Sequence, residues 1–303
     1  MDQMNRREFA GVSLAALGAA TLVGRTDAEE ETTAKLPTVR WGEHEIARVL
    51  VGHNPIKGGS HFSSELNSDM REWFANREHG LELLRRCEQC GINAAQMGGK
   101  DIENLLRAHY AEGGSLKWIA TFYSKPGTNE ATEELARILK MDPKPIGAQQ
   151  FGNVSDAFMR MGKPDRLKEN LKMLRDAGLL VGLCSHNHQT IDYAEEHNWD
   201  VDFYQCCFYT SAFSLDPAKR GKETFEEQSR RAMVKTIQQV SKPCIAFKVL
   251  AANRHCHTAA GVERAIRFAF ANIKPTDVVL LGMWQKYKDQ VAENVGCARG
   301  SFA

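Results

Sequence analysis

The sequence predicts an α/β protein folded as a closed (β/α)8 TIM barrel, and three observations predict it. From Ile46 onward, short apolar runs alternate with amphipathic helical stretches, and the alternation repeats eight times. The apolar runs are continuous rather than every second residue, the pattern of parallel strands buried on both faces. Eight such units fill about 250 residues, the usual length of this barrel. A doubly wound open sheet would place G-x-G-x-x-G after its first strand, and none is there.

The elements read in order as follows. Arg48 to His53 is the first strand. The polar stretch Asn54 to Trp73 then reads as one long loop, of a length typical of lids. Asn76 to Cys90 is helical, because Leu81, Leu84 and Cys87 recur on one face and Gly91 follows as a cap. Ile92–Gln96 is paired with a helix over Lys100–Tyr110, and Leu116–Tyr123 with Glu130–Leu139. Pro145–Phe151 is followed by the helix Arg166–Ala177, which Gly178 ends. In the second half the strands are Leu179–Cys184, Val201–Tyr209, Cys244–Leu250 and Asp277–Met283. Their helices are His188–His197, Phe225–Val240, Gly261–Ala271 and Lys286–Val295.

The N-terminus reads as an address. Asn5-Arg6-Arg7-Glu8-Phe9 resembles a twin-arginine export motif, Ala10 to Val23 carries no charge, and Thr26-Asp27-Ala28 offers small residues to a signal peptidase. The apolar run is too short to span a bilayer. The expected organisation is therefore a signal over 1–28, a lead-in over 29–45 and a single barrel over 46–303, with the mature protein outside the cytoplasm. The signal holds Arg6, Arg7 and Arg25 against Asp2, Glu8 and Asp27, so the mature chain keeps the net charge of +1. With no basic run and no acidic tail, the expected partner is a small molecule rather than nucleic acid or a membrane surface. Of the eight cysteines, Cys184, Cys206, Cys207 and Cys244 lie in apolar strand-like runs, as small buried hydrophobes do. Cys87 and Cys90 form a C-x-x-C inside a helical pattern, without a second pair at zinc spacing.

Several runs in the second half carry a family resemblance. Val181-Gly182-Leu183-Cys184-Ser185-His186-Asn187, Asp202 to Tyr209, Lys248-Val249-Leu250-Ala251-Ala252, and Asp277 to Gly282 with Gln290-Val291-Ala292-Glu293-Asn294 resemble successive strand-end motifs of the aldo-keto reductases. The resemblance implies a barrel that transfers hydride from NADPH to a carbonyl. It further implies a Tyr acid, a Lys that lowers its pKa, an Asp paired with that Lys, and a His that orients the substrate. Only one of the four has a counterpart: Lys125 follows the third strand. The second strand ends Ala95-Gln96-Met97-Gly98-Gly99, without the Asp and Tyr, and Gln149-Gln150 stand where the His belongs. Export also weighs against a soluble cytoplasmic cofactor, so NADP remains only what the resemblance implies, through Gly282 and Met283.

A barrel keeps its chemistry at the C-terminal ends of its strands. The residues there define the candidate site: Lys125, Gln150, His186 and Lys248 for catalysis, and His53, Asn54, Gln96, Tyr209 and Trp284 for substrate. The long first loop adds Lys57 and His61. His53, His186 and His188 are candidate ligands for a divalent transition metal, since neutral imidazole suits such ions. His255-Cys256-His257 is expected at the surface. The substrate expected from these amides, hydroxyls and imidazoles is small and polar, of carbohydrate type. The sequence admits three readings: a reductase-like enzyme, a metal-assisted isomerase, epimerase or lyase, and a barrel that only binds.

Overall fold

The computed structural model describes residues 35–210, 215, 221 and 224–302. The signal predicted over 1–28 lies outside them. From Leu36 onward the chain is one compact unit.

Thr38–Trp41 (β1) and His44–Ala47 (β2) form an antiparallel hairpin turned at Gly42, whose φ of 58° suits glycine. Eight parallel strands then close in sequence order: β3 Val49–Gly52, β4 Ala94–Met97, β5 Lys117–Phe122, β6 Gly147–Gln150, β7 Leu180–Ser185, β8 Phe203–Cys207, β9 Cys244–Phe247 and β10 Val278–Gly282. β10 pairs back to β3, with Val279 opposite Val49 and Gly282 opposite Gly52. Every predicted barrel strand is present, and the fold is the expected (β/α)8 barrel.

The hairpin was not anticipated, and the expected boundary at residue 46 falls inside β2. Trp41 is buried and stacks on Phe203, ring centroids 5.3 Å apart. With Ile46, Leu50, Ala94, Ile119, Ile245 and Val278 it forms an apolar cluster separate from the larger core between strands and helices. This cluster plugs the N-terminal end of the barrel. Gly182 makes room for it, because a Cβ there would stand 2.3 Å from the Phe203 ring.

The outer helices are α1 Ser64–Phe74, α2 Arg77–Gln89, α3 Lys100–Ala111, α4 Asn129–Leu139, α5 Gly152–Arg160, α6 Leu167–Asp176, α7 His188–Glu196, α8 Glu227–Gln239, α9 Ala259–Asn272 and α10 Gln290–Arg299. Two of them correct the reading above. The stretch Asn54–Trp73 is not one open loop: Ser63 caps α1 by accepting from the Leu66 amide, and α1 occupies its second half. Only Met70 of α1 is buried, so no apolar period announces the helix. α5 is an extra helix between β6 and α6. None of the described helices is long and apolar enough to cross a membrane.

Candidate active site

Above the apolar plug the barrel interior turns polar. Gln96 on β4 donates to Thr121 on β5 at 2.6 Å, and Gln205 on β8 donates to Gln96 at 3.3 Å. These amides floor a cavity of about 610 Å³ at the C-terminal ends of the strands. The loop after β3 and the first turns of α1 wall one side, through Lys57, His61, Leu66 and Met70. This is a volume suited to a small organic ligand.

One wall carries Tyr123, His53 and Lys57. The Tyr123 Oη lies 3.1 Å from His53 Nε2 and 3.3 Å from the Gly98 carbonyl. Lys57 Nζ sits 5.4 Å from the Tyr123 ring centre. Gly98 and Gly99 create this space. A Cβ on Gly98 would stand 3.0 Å from the Tyr123 ring, and one on Gly99 3.1 Å from Lys57 Nζ. Burial, followed by the nearby Lys57 charge, lowers the His53 pKa to about 4, so its imidazole is neutral near pH 7. Burial pushes the Tyr123 phenol up to about 12, so it keeps its proton there.

A second wall carries His186 and Asp156. Asp156, on α5, is wholly buried. It accepts from Ser185 Oγ at 2.5 Å, from the His186 backbone N–H at 3.3 Å, and from His186 Nδ1 at 2.7 Å. A carboxylate that only accepts requires the hydrogen on Nδ1, so in the neutral ring Nε2 is the acceptor. His186 lines the cavity. A Cβ on Gly152 would approach the His186 Cε1 to 3.0 Å, so that glycine is the seat of the ring.

A third wall follows β9. Lys248, Ala251, Ala252 and Asn253 all have φ between 48° and 75°, a left-handed run that L residues adopt at a cost. Burial lowers the pKa of Lys248. The same lysine and Arg254 add to the burial that brings His61 to about 4.

Of the predicted site residues, His53, Asn54, Gln96, His186, Lys248, Gly282 and Trp284 line this cavity together. Five do not line it. Gln150 faces outward, donating to the Phe122 carbonyl and accepting from Asn170 on α6. Side chains alternate along a strand, so its neighbour Gln149 faces the cavity instead. Lys125 is exposed beyond β5, and Lys57 approaches the tyrosine in its place. Tyr209 is buried outside, against Phe225, with its hydroxyl 3.1 Å from His255. That contact makes His255 half-buried rather than a surface residue, and Cys256 lines the cavity. Met283 points into the outer core. His188 begins α7 and pairs with Asp192 at 3.0 Å, away from His53 and His186. The three histidines therefore do not form one ligand set, and no group of three or more His, Cys, Asp or Glu among the described residues is placed to hold a metal.

Sequence reasoning missed Tyr123, Asp156 and Gln149 as functional residues. Tyr123 was visible as the last residue of a predicted strand. Asp156 had no such signal, because no element was predicted where α5 stands.

The chain matches no protein-family model, and no curated protein matches it in sequence. Solved structures do match in shape. A Pseudomonas aeruginosa protein assigned to the aldo-keto reductases superposes with a TM-score of 0.60 at 14% identity, covering 91% of this chain and all of that one (100%). Gox0644 without ligand gives 0.56 at 11% identity, covering 86% of this chain and 88% of its own. A Gox0644 mutant solved with NADPH gives 0.56 at 11% identity, covering 87% and 88%. The chain thus has an aldo-keto-reductase-like barrel.

A nicotinamide dinucleotide is what that fold implies, and the residues on the β9–β10 side fit it poorly. At Gly282 the space a phosphate would need is filled by Pro55, 2.8 Å from where a Cβ would stand. Lys288 pairs with Glu293, and Lys286 with Asp69. Arg254 donates to the carbonyls of His61, Ala251 and Ala252 and lies 3.7 Å from the Phe225 ring centre. These three cations are already spoken for.

Proposed function

We propose that this chain is an enzyme catalysing proton transfer on a small, polar, carbohydrate-derived carbonyl compound. The observation that carries the reading is the Tyr123–His53 hydrogen bond with Lys57 beside it, on one wall of the cavity. A phenol that holds its proton at neutral pH is a donor for an oxygen that gains charge. The Lys57 ammonium stabilises the phenolate left behind, and neutral His53 holds the hydroxyl in place. Gln96, Gln149 and Gln205 offer neutral donors and acceptors, which suit hydroxyl groups. The reading needs neither a metal nor a nicotinamide.

The test is product analysis by NMR on a panel of aldoses, ketoses and keto-sugars, without added cofactor. Tyr123→Phe is expected to lower turnover by about 10²–10⁴-fold, the usual contribution of a positioned acid. Unchanged turnover in that variant sinks the assignment of the acid. Turnover that appears only with NADPH restores hydride transfer.

A further inference from the structure

The acid wall and the His186 wall face one cavity, and their placement narrows the reaction. Tyr123 continues β5 and His186 continues β7, with only β6 between them. Two strand spacings, about 10 Å, separate their backbones. Tyr123 packs on Phe151 with centroids 4.8 Å apart, and the His186 ring sits over Gly152. Both side chains line the same cavity. Asp156 fixes the base in the one tautomer that accepts a proton from the cavity side.

We infer that His186 is the base partner of Tyr123 and that the site catalyses a 1,2-proton shift on an α-hydroxy carbonyl compound, an aldose–ketose isomerisation. This rests on the acid assignment made above. His186 Nε2 takes the hydrogen from the carbon next to the carbonyl. The C–H electron pair becomes the C=C bond of an enediol, and the carbonyl oxygen takes the Tyr123 proton. Reversal completes the cycle. The Tyr123 phenolate recovers a proton from the hydroxyl on the carbon that lost its hydrogen, and the imidazolium gives its proton to the former carbonyl carbon on the same face. No electrons enter or leave, so no oxidant or reductant is consumed. His186 is a catalytic residue in this scheme, whereas Asp156 is a positioning residue.

The experiment incubates the full-length mature protein with dihydroxyacetone, D-glucose and D-fructose in D2O and follows the α-proton by NMR. The wild type is expected to incorporate deuterium at the carbon beside the carbonyl. His186→Gln should lose at least about 100-fold in exchange rate. His186→Ala should recover part of the rate with added imidazole, which a structural role would not allow. Asp156→Asn should lower kcat by on the order of 100-fold with KM unchanged, because a carboxamide no longer fixes the tautomer. Since Asp156 is buried and its variant can fail to fold, the imidazole rescue decides the point independently. Gly152→Ala should slow exchange as well, by displacing the ring. Turnover without exchange into the α-position, or exchange unaffected by His186→Gln, overturns the proton shift and leaves Tyr123 as acid standing. No turnover and no exchange with any carbonyl sugar overturns both.

Discussion

At the scale of single residues, the site is a set of groups whose protonation is fixed by burial. His53 and His61 have folded-state pKa values of about 4, against 6.5 for an unperturbed histidine. The unfolded chain therefore binds protons that the folded chain refuses. Above pH 6.5 these residues leave stability unaffected. Stability falls as the pH drops from 6.5 towards 4, and they cause no further loss below that. The melting temperature should decline across this window, and the decline should be shallower in His53→Gln and His61→Gln than in the wild type. Equal slopes in all three would show that neither imidazole is held neutral. The alternation of side chains decides the roles of Gln149 and Gln150. A sequence shows that both stand at a strand end, but not which of two adjacent amides looks inward. That follows from the β6 register against β5 and β7, where Gln150 pairs with Phe122 and Leu183.

At the scale of elements, the β1–β2 hairpin and the short helices α1 and α5 separate this barrel from a bare eightfold repeat. The hairpin closes the N-terminal end through Trp41, whose indole Nε1 also donates to the Thr276 carbonyl at 3.1 Å. Trp41→Ala removes a buried aromatic side chain and should destabilise the fold by about 3–5 kcal/mol. Chemical denaturation checks this, and a loss below about 1 kcal/mol would mean the plug is dispensable. α5 brings Asp156 under β7, and the loop before α1 brings Lys57 to Tyr123. Neither helix has the long apolar stripe that periodicity detects. α1 buries a single residue, and α5 has nine residues after a strand end. The same weakness that hides them from a sequence reading leaves them free to carry functional side chains.

At the scale of the whole molecule, the chain couples an aldo-keto-reductase-like barrel to the segment that resembles a twin-arginine signal. We propose that it is exported folded, and its cysteines agree with that route. Cys87, Cys90, Cys184, Cys206, Cys207 and Cys244 are free and buried, as in a protein folded under reducing conditions. Changing both Arg6 and Arg7 to Lys should leave the precursor in the cytoplasm, as fractionation with immunoblotting would show. Normal processing of that variant would remove the export proposal.

The sequence by itself determined the barrel, because continuous apolar strands and amphipathic helices are local patterns that repeat. It also placed His53, Gln96, His186 and Lys248 at strand ends, and in a parallel barrel all strand ends meet at one mouth. Only the tertiary structure decided which of these residues share a function. The partners Tyr123 with His53 and Lys57, and Asp156 with His186, are 70 and 30 residues apart for the hydrogen-bonded pairs. Closure of the barrel and the packing of α5 bring them within bonding distance. Burial, which exists only once the chain is folded, keeps the Tyr123 phenol protonated and, with the Lys57 charge, the His53 imidazole neutral near pH 7.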